Sequence, residues 1–460
     1  MKLKTRRLIM IGFILAFFII APILIFYASG YRIDIKREKV IKTGTLMMDG
    51  KDIKKANIYI NDKLYDEPFT EKIFIYNLLP GDYQVRLEKE GYYPWAKKIS
   101  IYSNLTTFAK DIILFKKELP LSIIDGQIVA LTISPDSQKI VYLIDTDSFW
   151  ELYQYNPNTK ENFFLARFSP GKRSSLDITT SSKKVLVNID NKYSIYDIEN
   201  QKSRVDLTEI INFLPKNLKW DLQSDNLLFA YYKNAIYSID IFGKKNEKIF
   251  EIKNYNINPE FYVEGKDIFY IQQENEKNIL YKYNQNFYTT KKILELPKSE
   301  NYQFIKNSNN YLGLIDIDQE KLHLIKKINT DSEINIIGSD PIKEFSAKSA
   351  VWDLDGKQLL IYDDFEIYIY NPNSGEENII NRYGQPIKKA LWYSNLKYIV
   401  LQFENSIQII DLEISNGTHA ITEIIKSAQI SDFYSDKEGK NIYFNGIIDK
   451  SGGLYKLKLK

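Results

Sequence analysis

The sequence predicts an all-β protein: an N-terminal transmembrane helix, a small β-sandwich, and then a seven- or eight-bladed β-propeller. Three observations support this prediction. An apolar run lies near the N-terminus, short alternating runs bounded by turn residues fill residues 43–116, and a strand-rich unit recurs over residues 119–460. The recurrence has roughly the 40–45-residue period of propeller blades. An aromatic content of 14%, with 34 Tyr and 25 Phe, also favours strands.

Composition excludes several kinds of site. The 62 Lys and Arg residues nearly balance the 59 Asp and Glu residues, and no long basic stripe occurs, so we expect no nucleic-acid partner. The absence of cysteine excludes disulfides, thiolate zinc sites, iron–sulfur clusters and cysteine nucleophiles. The two histidines, His323 and His419, are too few for a histidine-rich metal site, and we predict that both lie on the surface. We expect neither a metal nor a cofactor.

Residues 1–27 predict a basic cytoplasmic tail and an anchor helix. Leu8–Tyr27 is an uncharged run of 20 residues, which as a helix is about 30 Å long and matches a bilayer core. Four basic residues precede it, which places the N-terminus in the cytoplasm and the later domains outside. The alternative is a cleaved signal peptide, with Ala28–Gly30 as a weak cleavage site. The anchor is favoured because a signal peptide has a shorter apolar region.

The segment after the helix predicts a polar juxtamembrane linker over residues 28–42 and a small sandwich over residues 43–116. Alternation is clearest at Tyr83, Val85 and Leu87, which take one face of a strand while polar residues take the other. Six such strands separated by turn residues, in about 75 residues, are typical of a two-layer β domain.

This sandwich resembles the PEGA domain. The resemblance is carried by the sequence LPGDYQV at residues 79–85 and KEGYYPW at residues 89–95. The sequence departs from the family at Lys54–Asn57, where the eponymous Pro-Glu-Gly-Ala is reduced to the alanine. The resemblance implies an extracytoplasmic β-sandwich of envelope or surface-layer proteins, with no activity of its own.

Tyr92, Tyr93 and Trp95 form an aromatic cluster in the second half of that motif. Aromatic rings stack on sugars, so the cluster is a candidate partner-binding surface. The favoured interpretation is that these rings pack the edge of the sandwich, because most aromatic side chains of small β domains lie in the core.

The remaining chain predicts the propeller. Eight first-strand runs recur at the blade period, each followed by a polar corner and an apolar second strand. The corners Ser134–Lys139 and Asp353–Gln358 resemble the Ser-Pro-Asp-Gly-Lys turn of Tol-system-type and other WD-like propellers. The last unit has three strands, so Leu119–Gly126 is the candidate clasp that completes it and removes an exposed edge. We therefore favour eight blades, with seven as the alternative if the fourth or fifth unit is an insertion.

Three tryptophans, Trp220, Trp352 and Trp392, lie at equivalent places at the ends of first strands. Such repetition predicts packing between blades. Asp221 and Asp353 follow two of them and are candidate partner-binding residues. The favoured interpretation is that each aspartate closes its own turn through backbone amides.

The sequence contains no recognisable catalytic constellation, so we predict no catalytic residues. The Asp-box of sialidases, the Gly-x-Ser-x-Gly elbow, the His-Glu-x-x-His helix and phosphate-binding loops are all absent. Asp145, Asp147 and Glu151 lack the dense ligand spacing of a calcium loop.

These observations predict a non-enzymatic binding or scaffold protein of the bacterial envelope, held by one anchor in the cytoplasmic membrane. Its propeller is expected to bind an envelope protein or a glycan. The alternative is a propeller hydrolase or lyase that cleaves cell-surface polysaccharide through a carboxylate pair. A third possibility is a structural surface-layer component.

Overall fold

The computed structural model describes the chain in the ranges 3–34, 38–66, 70–200, 203–252, 260–305, 310–329, 334–337, 341–394, 396–413, 419–426 and 429–460. The chain divides into two compact units. The first unit comprises Met1–Glu118, Ile410–Thr422 and Leu459–Lys460, and the second comprises Leu119–Ile409 and Glu423–Lys458.

The first unit begins with helix α1 (Leu3–Ala28). Over Thr5–Ala28 the helix is long and apolar enough to cross a membrane, and none of its most apolar window is buried by the rest of the protein. By length and composition, the helix fits either a membrane anchor or a signal sequence.

A β-hairpin follows the helix, formed by β1 (Tyr31–Asp34) and β2 (Lys39–Lys42). The sequence predicted only a polar linker over residues 28–42. Both strands are four residues long and mix charged with apolar side chains, so their alternation is too short to distinguish a strand from a loop.

Among the described residues, the sandwich contains seven strands, one more than predicted, and one short 3₁₀ turn at Lys51–Ile53. The strands are β3 (Gly44–Asp49), β4 (Asn57–Ile60), β5 (Lys63–Asp66), β6 (Lys72–Leu78), β7 (Gly81–Glu88), β8 (Trp95–Ile101) and β9 (Thr106–Ala109). They form a three-stranded sheet of order β6-β3-β9 and a four-stranded sheet of order β5-β4-β7-β8. β3 and β9 run parallel, whereas the other pairs are antiparallel.

The core of the sandwich confirms the alternation predicted for β7. Val85 and Leu87 are fully buried in one apolar cluster with residues from both sheets, and Tyr83 packs against that cluster. Gly91 has a φ of 77°, in the left-handed region that glycine enters without steric cost. The two layers therefore enclose a single hydrophobic core.

In the described residues, eight sheets follow the sandwich, and one of them includes a clasp strand. They lie in the second unit, except that two strands of the seventh sheet extend into Ile410–Thr422 of the first unit. The clasp is β10 (Leu121–Asp125). Blades 1 and 2 comprise β11 (Gln127–Ile133), β12 (Ile140–Asp145), β13 (Trp150–Tyr155), β14 (Asn162–Phe168), β15 (Ser174–Ile178), β16 (Lys184–Ile189), β17 (Lys192–Asp197) and β18 (Arg204–Asp206). A 3₁₀ turn at Leu207–Glu209 follows. Blades 3 and 4 comprise β19 (Asn217–Trp220), β20 (Leu227–Tyr232), β21 (Ala235–Asp240), β22 (Lys245–Glu251), β23 (Phe261–Glu264), β24 (Asp267–Glu274), β25 (Lys277–Asn284) and β26 (Thr289–Leu296).

Blade 5 has a fifth strand, which pairs with its third. Its strands are β27 (Tyr302–Phe304), β28 (Tyr311–Asp316), β29 (Lys321–Asn329), β30 (Ile334–Ile337) and β31 (Lys343–Ser346). Blades 6 and 7 comprise β32 (Ser349–Trp352), β33 (Leu359–Tyr362), β34 (Glu366–Asn371), β35 (Glu376–Arg382), β36 (Lys389–Trp392), β37 (Tyr398–Gln402), β38 (Ser406–Asp411) and β39 (Ile421–Lys426). Blade 8 comprises β40 (Gln429–Ser435), β41 (Asn441–Ile448) and β42 (Ser451–Lys458), with β10 as its fourth strand.

The predicted clasp is confirmed. Strand β10 pairs antiparallel with β42, from Leu121 opposite Lys456 to Asp125 opposite Gly453. An edge strand exposes unpaired backbone groups, and this pairing covers the edge of β42. Between blades 8 and 1, the Tyr434 hydroxyl donates to the Leu131 carbonyl at 3.0 Å. The eight sheets therefore form a closed ring, and the fourth and fifth units are complete blades.

The periodic tryptophans pack between blades, as predicted. Trp220 Nε1 donates to the Asp177 carbonyl of the preceding blade at 3.3 Å. Trp392 Nε1 makes the equivalent bond to the Val351 carbonyl at 2.9 Å. Trp352 stacks on Tyr311 of the preceding blade, with ring centroids 5.8 Å apart. Trp220 and Trp392 thus link neighbouring first strands, whereas Trp352 packs against the second strand of the preceding blade.

Candidate functional site

The predicted aromatic cluster packs largely in and against the core of the sandwich. Trp95 is 5% exposed within the core, and Tyr92 packs against that core. Lys89 Nζ lies 4.7 Å from the centre of the Tyr92 ring. Tyr93 is half-buried, and its backbone amide donates to the Phe115 carbonyl at 2.8 Å. The three side chains do not present one open stacking face, since Trp95 is enclosed.

Trp95 is joined to a buried ion pair inside the first unit. Its Nε1 lies 3.4 Å from Asp411 Oδ2, and Lys97 Nζ lies 3.3 Å from the same oxygen. Glu413 Oε2 also lies 3.3 Å from Lys97 Nζ. The Lys97 and Asp411 side chains are 3% and 7% exposed, respectively, so the ion pair replaces most of their hydration.

Asp221 and Asp353 close their own turns. Asp221 Oδ1 accepts from the Gln223 amide at 2.8 Å, and Asp353 Oδ1 accepts from the Lys357 amide at 2.7 Å. This bonding to local backbone amides is the usual role of aspartate in a corner. The structure therefore places the two residues in separate blades, 3 and 6, and does not bring them together in one site.

The prediction that His323 lies on the surface was wrong. Its side chain is fully buried in β29, with Nδ1 2.9 Å from Glu344 Oε1 and the ring centroid 6.2 Å from that of Tyr302. Burial lowers the pKa of the imidazole, and the Glu344 carboxylate opposes that shift. A third strand of a blade is covered on both faces, so alternation along β29 does not indicate exposure.

His419 is half-buried, which also corrects the surface prediction. Its Nδ1 lies 2.8 Å from the Asp411 carbonyl oxygen in the first unit. Burial lowers the pKa of this imidazole as well, and the hydrogen bond to Asp411 acts in the opposite direction.

Blade 5 encloses a group of polar side chains around His323. Asp316 is fully buried, and its Oδ1 accepts from the Ser299 hydroxyl at 2.7 Å and from the Gln319 amide at 3.0 Å. Asn278 donates to the Ser299 carbonyl at 2.6 Å. These bonds tie the connection from blade 4 to the turn after β28. The group therefore has a structural role within the blade.

The first strands of neighbouring blades lie side by side around the ring axis, and two lysines bridge them. Lys219 Nζ lies 2.5 Å from Glu260 Oε1 and 2.8 Å from the Phe261 carbonyl oxygen. The second bridge joins Lys389 Nζ to Asp432 Oδ1 at 2.6 Å and to the Phe433 carbonyl oxygen at 2.9 Å. Each lysine therefore pairs with a carboxylate that lies on the first strand of the next blade or directly before it.

Metal-ligating clusters are not found within the described ranges. Asp145, Asp147 and Glu151, whose spacing does not fit a calcium loop, form hydrogen bonds within the protein instead. Asp145 Oδ1 accepts from the Asp147 amide at 3.0 Å, and Glu151 Oε1 accepts from Arg167 Nη2 at 2.6 Å. The Tyr153 hydroxyl and Arg167 both donate to Glu151 and hold the pKa of its carboxyl below the ordinary value.

An open cleft, which the sequence did not predict, lies between blades 7 and 8 and has a volume of about 650 Å³. Six side chains that represent its chemistry are Asn405, Glu423, Lys426, Gln429, Asp449 and Lys450. With Gln385, Ser406 and Ile447, which complete the lining, two carboxylates, two ammonium groups, three amides, a hydroxyl and one apolar side chain face one space. Lys426 Nζ lies 3.8 Å from Glu423 Oε2. Such a surface can hydrogen-bond a polar ligand from several directions.

The cleft depends on the turn chemistry at its rim. Asp449 and Lys450 form the two-residue connection between β41 and β42, with φ values of 48° and 73°. Positive φ at both positions is the signature of the type I′ hairpin turn. No sequence pattern could reveal this cleft, because its residues are spread over separate segments that meet only when blades 7 and 8 pack together.

Comparison with known proteins supports the two β domains. Residues 54–112 match the PEGA domain family. A solved structure of the Dos1 propeller is 12% identical, with a TM-score of 0.51, and the match covers 75% of this chain and 96% of that one. That likeness shows the propeller fold alone.

Two other solved structures are less similar. Hydrazine synthase of Kuenenia stuttgartiensis is 10% identical with a TM-score of 0.39, and the match covers 73% of this chain and 96% of that one. A eukaryotic initiation factor is 12% identical with a TM-score of 0.48, and the match covers 71% and 83% of the two chains. Both likenesses are too loose to add to the fold assignment. None of the curated proteins matches this chain by sequence. The chain therefore contains a segment, residues 54–112, that matches the PEGA domain, and a C-terminal β-propeller.

Proposed function

We propose that this chain is a membrane-anchored, extracytoplasmic, non-enzymatic binding or scaffold protein of the bacterial envelope. Helix α1 holds it in the cytoplasmic membrane, with the basic N-terminus inside. The propeller binds a protein or glycan partner, and the cleft between blades 7 and 8 is the binding site. The observation that carries this proposal is the cleft itself, since its amides and paired charges face outward.

The surface of α1 supports the anchor. Its apolar side chains are exposed along its whole length, for example Phe13 at 74% and Phe18 at 68%. A lipid bilayer would stabilise apolar surface of this extent, because its contact with water costs about 25 cal/mol per Å². The PEGA family match supports an extracytoplasmic position for the domain that follows.

Seven carboxyl groups are held in their charged form by their surroundings. A glycosidase-type general acid needs a carboxyl group whose pKa is raised. In the described part of the chain, every carboxyl group with a displaced pKa has it displaced downward. These groups are Asp136, Glu151, Asp190, Asp206, Glu251, Glu295 and Asp318. Hydrogen bonds and neighbouring cations stabilise their charged forms.

Site-specific photo-crosslinking in intact cells tests the binding site. A photoreactive phenylalanine replaces Lys450, at the rim of the cleft. The matched control replaces Asn191, which occupies the equivalent positive-φ position of the two-residue turn in blade 2. We expect one discrete adduct from position 450 and none from position 191. Equal adduct patterns, or turnover of an envelope polysaccharide by the purified chain, would contradict the proposal.

Membrane topology has a separate test. Because the chain has no cysteine, an Asn191→Cys variant carries a single thiol. We expect a membrane-impermeant maleimide to label it when added outside the cytoplasmic membrane, and the chain to remain in the membrane fraction after a high-salt wash. Labelling only after lysis of that membrane would place the propeller in the cytoplasm.

A further inference from the structure

The turn between β8 and β9 lies beside the exit of helix α1. The Thr43 amide donates to the carbonyl of Gly30, two residues beyond the helix, at 2.9 Å, and the Thr43 hydroxyl donates to the same oxygen at 2.8 Å. The Asn104 amide then donates to the Thr43 carbonyl at 3.0 Å. Thus two hydrogen-bond links connect the end of the helix to the turn.

That turn exposes two large side chains. The Leu105 amide donates to the Tyr102 carbonyl at 3.3 Å, and Asn104 adopts a φ of 58°, which closes a tight turn. Tyr102 and Leu105 are 59% and 60% exposed. Turn positions are ordinarily polar, so an exposed aromatic and an exposed leucine at one turn require another explanation.

The hairpin after the helix adds a second exposed apolar pair. Ile33 of β1 lies opposite Val40 of β2, and the two are 71% and 63% exposed. Neither side chain contributes to the sandwich core. The helix exit therefore has exposed apolar groups on two adjacent structures.

The helix exit itself has the residue types of a membrane interface. The Tyr31 ring packs edge-on against Phe26, with centroids 5.4 Å apart. The Arg32 guanidinium lies 3.6 Å from the centre of the Tyr27 ring and donates to the Tyr27 carbonyl. Tyrosine and snorkelling arginine are enriched where a span leaves the hydrocarbon.

We propose that Tyr102, Leu105, Ile33 and Val40 form a lipid-contact surface that lies on the outer face of the bilayer. This inference depends on the proposed membrane anchor. The occupant is lipid because a bilayer that surrounds α1 must end near Ala28, which is beside this surface. The surface fixes the PEGA-like sandwich against the membrane. The far end of β3, at Asp49, lies about 17 Å along the strand from Gly44 at roughly 3.3 Å per residue.

Single-cysteine labelling of the full chain in nanodiscs tests the surface. Leu105→Cys and Val40→Cys carry an environment-sensitive NBD label on the proposed surface. Lys54→Cys is the matched control, since Lys54 is exposed on the same domain, at the end of the sandwich opposite to Gly44. The nanodiscs contain phosphatidylcholine and phosphatidylglycerol, with or without brominated acyl chains.

We expect bromolipid to quench the labels at positions 105 and 40 several-fold more than the label at 54, and iodide to quench them less. Iodide accessibility at 105 and 40 equal to that at 54 would overturn the inference. Protection from iodide without bromolipid quenching would also overturn it, because a second copy of the chain would then cover the surface. Loss of the chain from the nanodisc would instead contradict the anchor, so the two failures are distinguishable.

Discussion

Lys389 Nζ lies 2.6 Å from Asp432 Oδ1 across the boundary between blades 7 and 8. It also donates to the Phe433 carbonyl at 2.9 Å, so one ammonium group is bonded to two groups on the first strand of the next blade. Blade 3 repeats this arrangement toward blade 4, four blades away around the ring. The lysines thus reinforce two opposite boundaries of the ring.

Lys389→Met is expected to lower the free energy of unfolding by about 1–2 kcal/mol, because it removes a partly exposed charge-assisted hydrogen bond and leaves Asp432 without its cation. Urea unfolding followed by tryptophan fluorescence measures the loss. Lys388→Met is the control, since Lys388 is exposed and adjacent in sequence. Equal effects of the two variants would show that the bridge contributes nothing specific.

Gly453→Ala is expected to weaken the clasp. A Cβ at Gly453 would lie 2.3 Å from the Ile124 carbonyl oxygen of β10, so the two strands must separate. Overpacking of this kind costs about 1–3 kcal/mol. At the neighbouring Gly452 the nearest atom would be 3.6 Å away. Thermal unfolding should therefore distinguish Gly453→Ala from Gly452→Ala, and identical midpoints would argue against close contact of β10 with β42.

Acidification is expected to destabilise the propeller through His323. Burial lowers the pKa of His323 in the folded state below the ordinary value of 6.5. Below about pH 6.5 the unfolded chain therefore binds a proton that the folded chain resists, and stability falls by at most about 1.4 kcal/mol per pH unit down to the folded pKa.

Thermal unfolding of the wild type and of His323→Gln at several values between pH 5.5 and 7.5 measures this contribution. The variant should have a shallower dependence on pH in the propeller transition. Asp316, Glu344, Lys321 and Tyr302 also influence the site, so the comparison must be a difference between the two proteins. Parallel pH profiles would show that His323 accepts its proton equally in both states.

Features with a period in the sequence were predictable. Trp220 and Trp392 occupy equivalent positions in their blades, and each donates a hydrogen bond to a carbonyl of the preceding blade. The clasp was predictable from Leu119–Gly126 because a three-stranded last unit leaves an edge that must be paired. Both inferences rest on constraints that the ring imposes on every blade.

Features that depend on a single tertiary contact were not predictable. The alternation of residues along β29 predicted that the His323 side chain is exposed. Neighbouring blades cover both faces of that strand, so alternation does not predict exposure there, and His323 is buried. The cleft residues Asn405 and Lys450 belong to different blades and meet only across the boundary. The pairing of Lys97 with Asp411 joins residues 314 positions apart, which no local pattern could indicate.

That last pair supports a strong prediction for the first unit. Lys97→Met leaves the buried Asp411 carboxylate without its cation, and such a loss costs about 3–5 kcal/mol. Lys98→Met is the control, because Lys98 is 51% exposed and bonds Asp82 at the surface, where a pair contributes about 0–1 kcal/mol. Adding Asp411→Asn to Lys97→Met removes the stranded charge and should recover part of the stability. Urea unfolding of the three variants decides the matter: if Lys97→Met and Lys98→Met unfold alike, the charge of Asp411 is hydrated in solution and the pair is not buried.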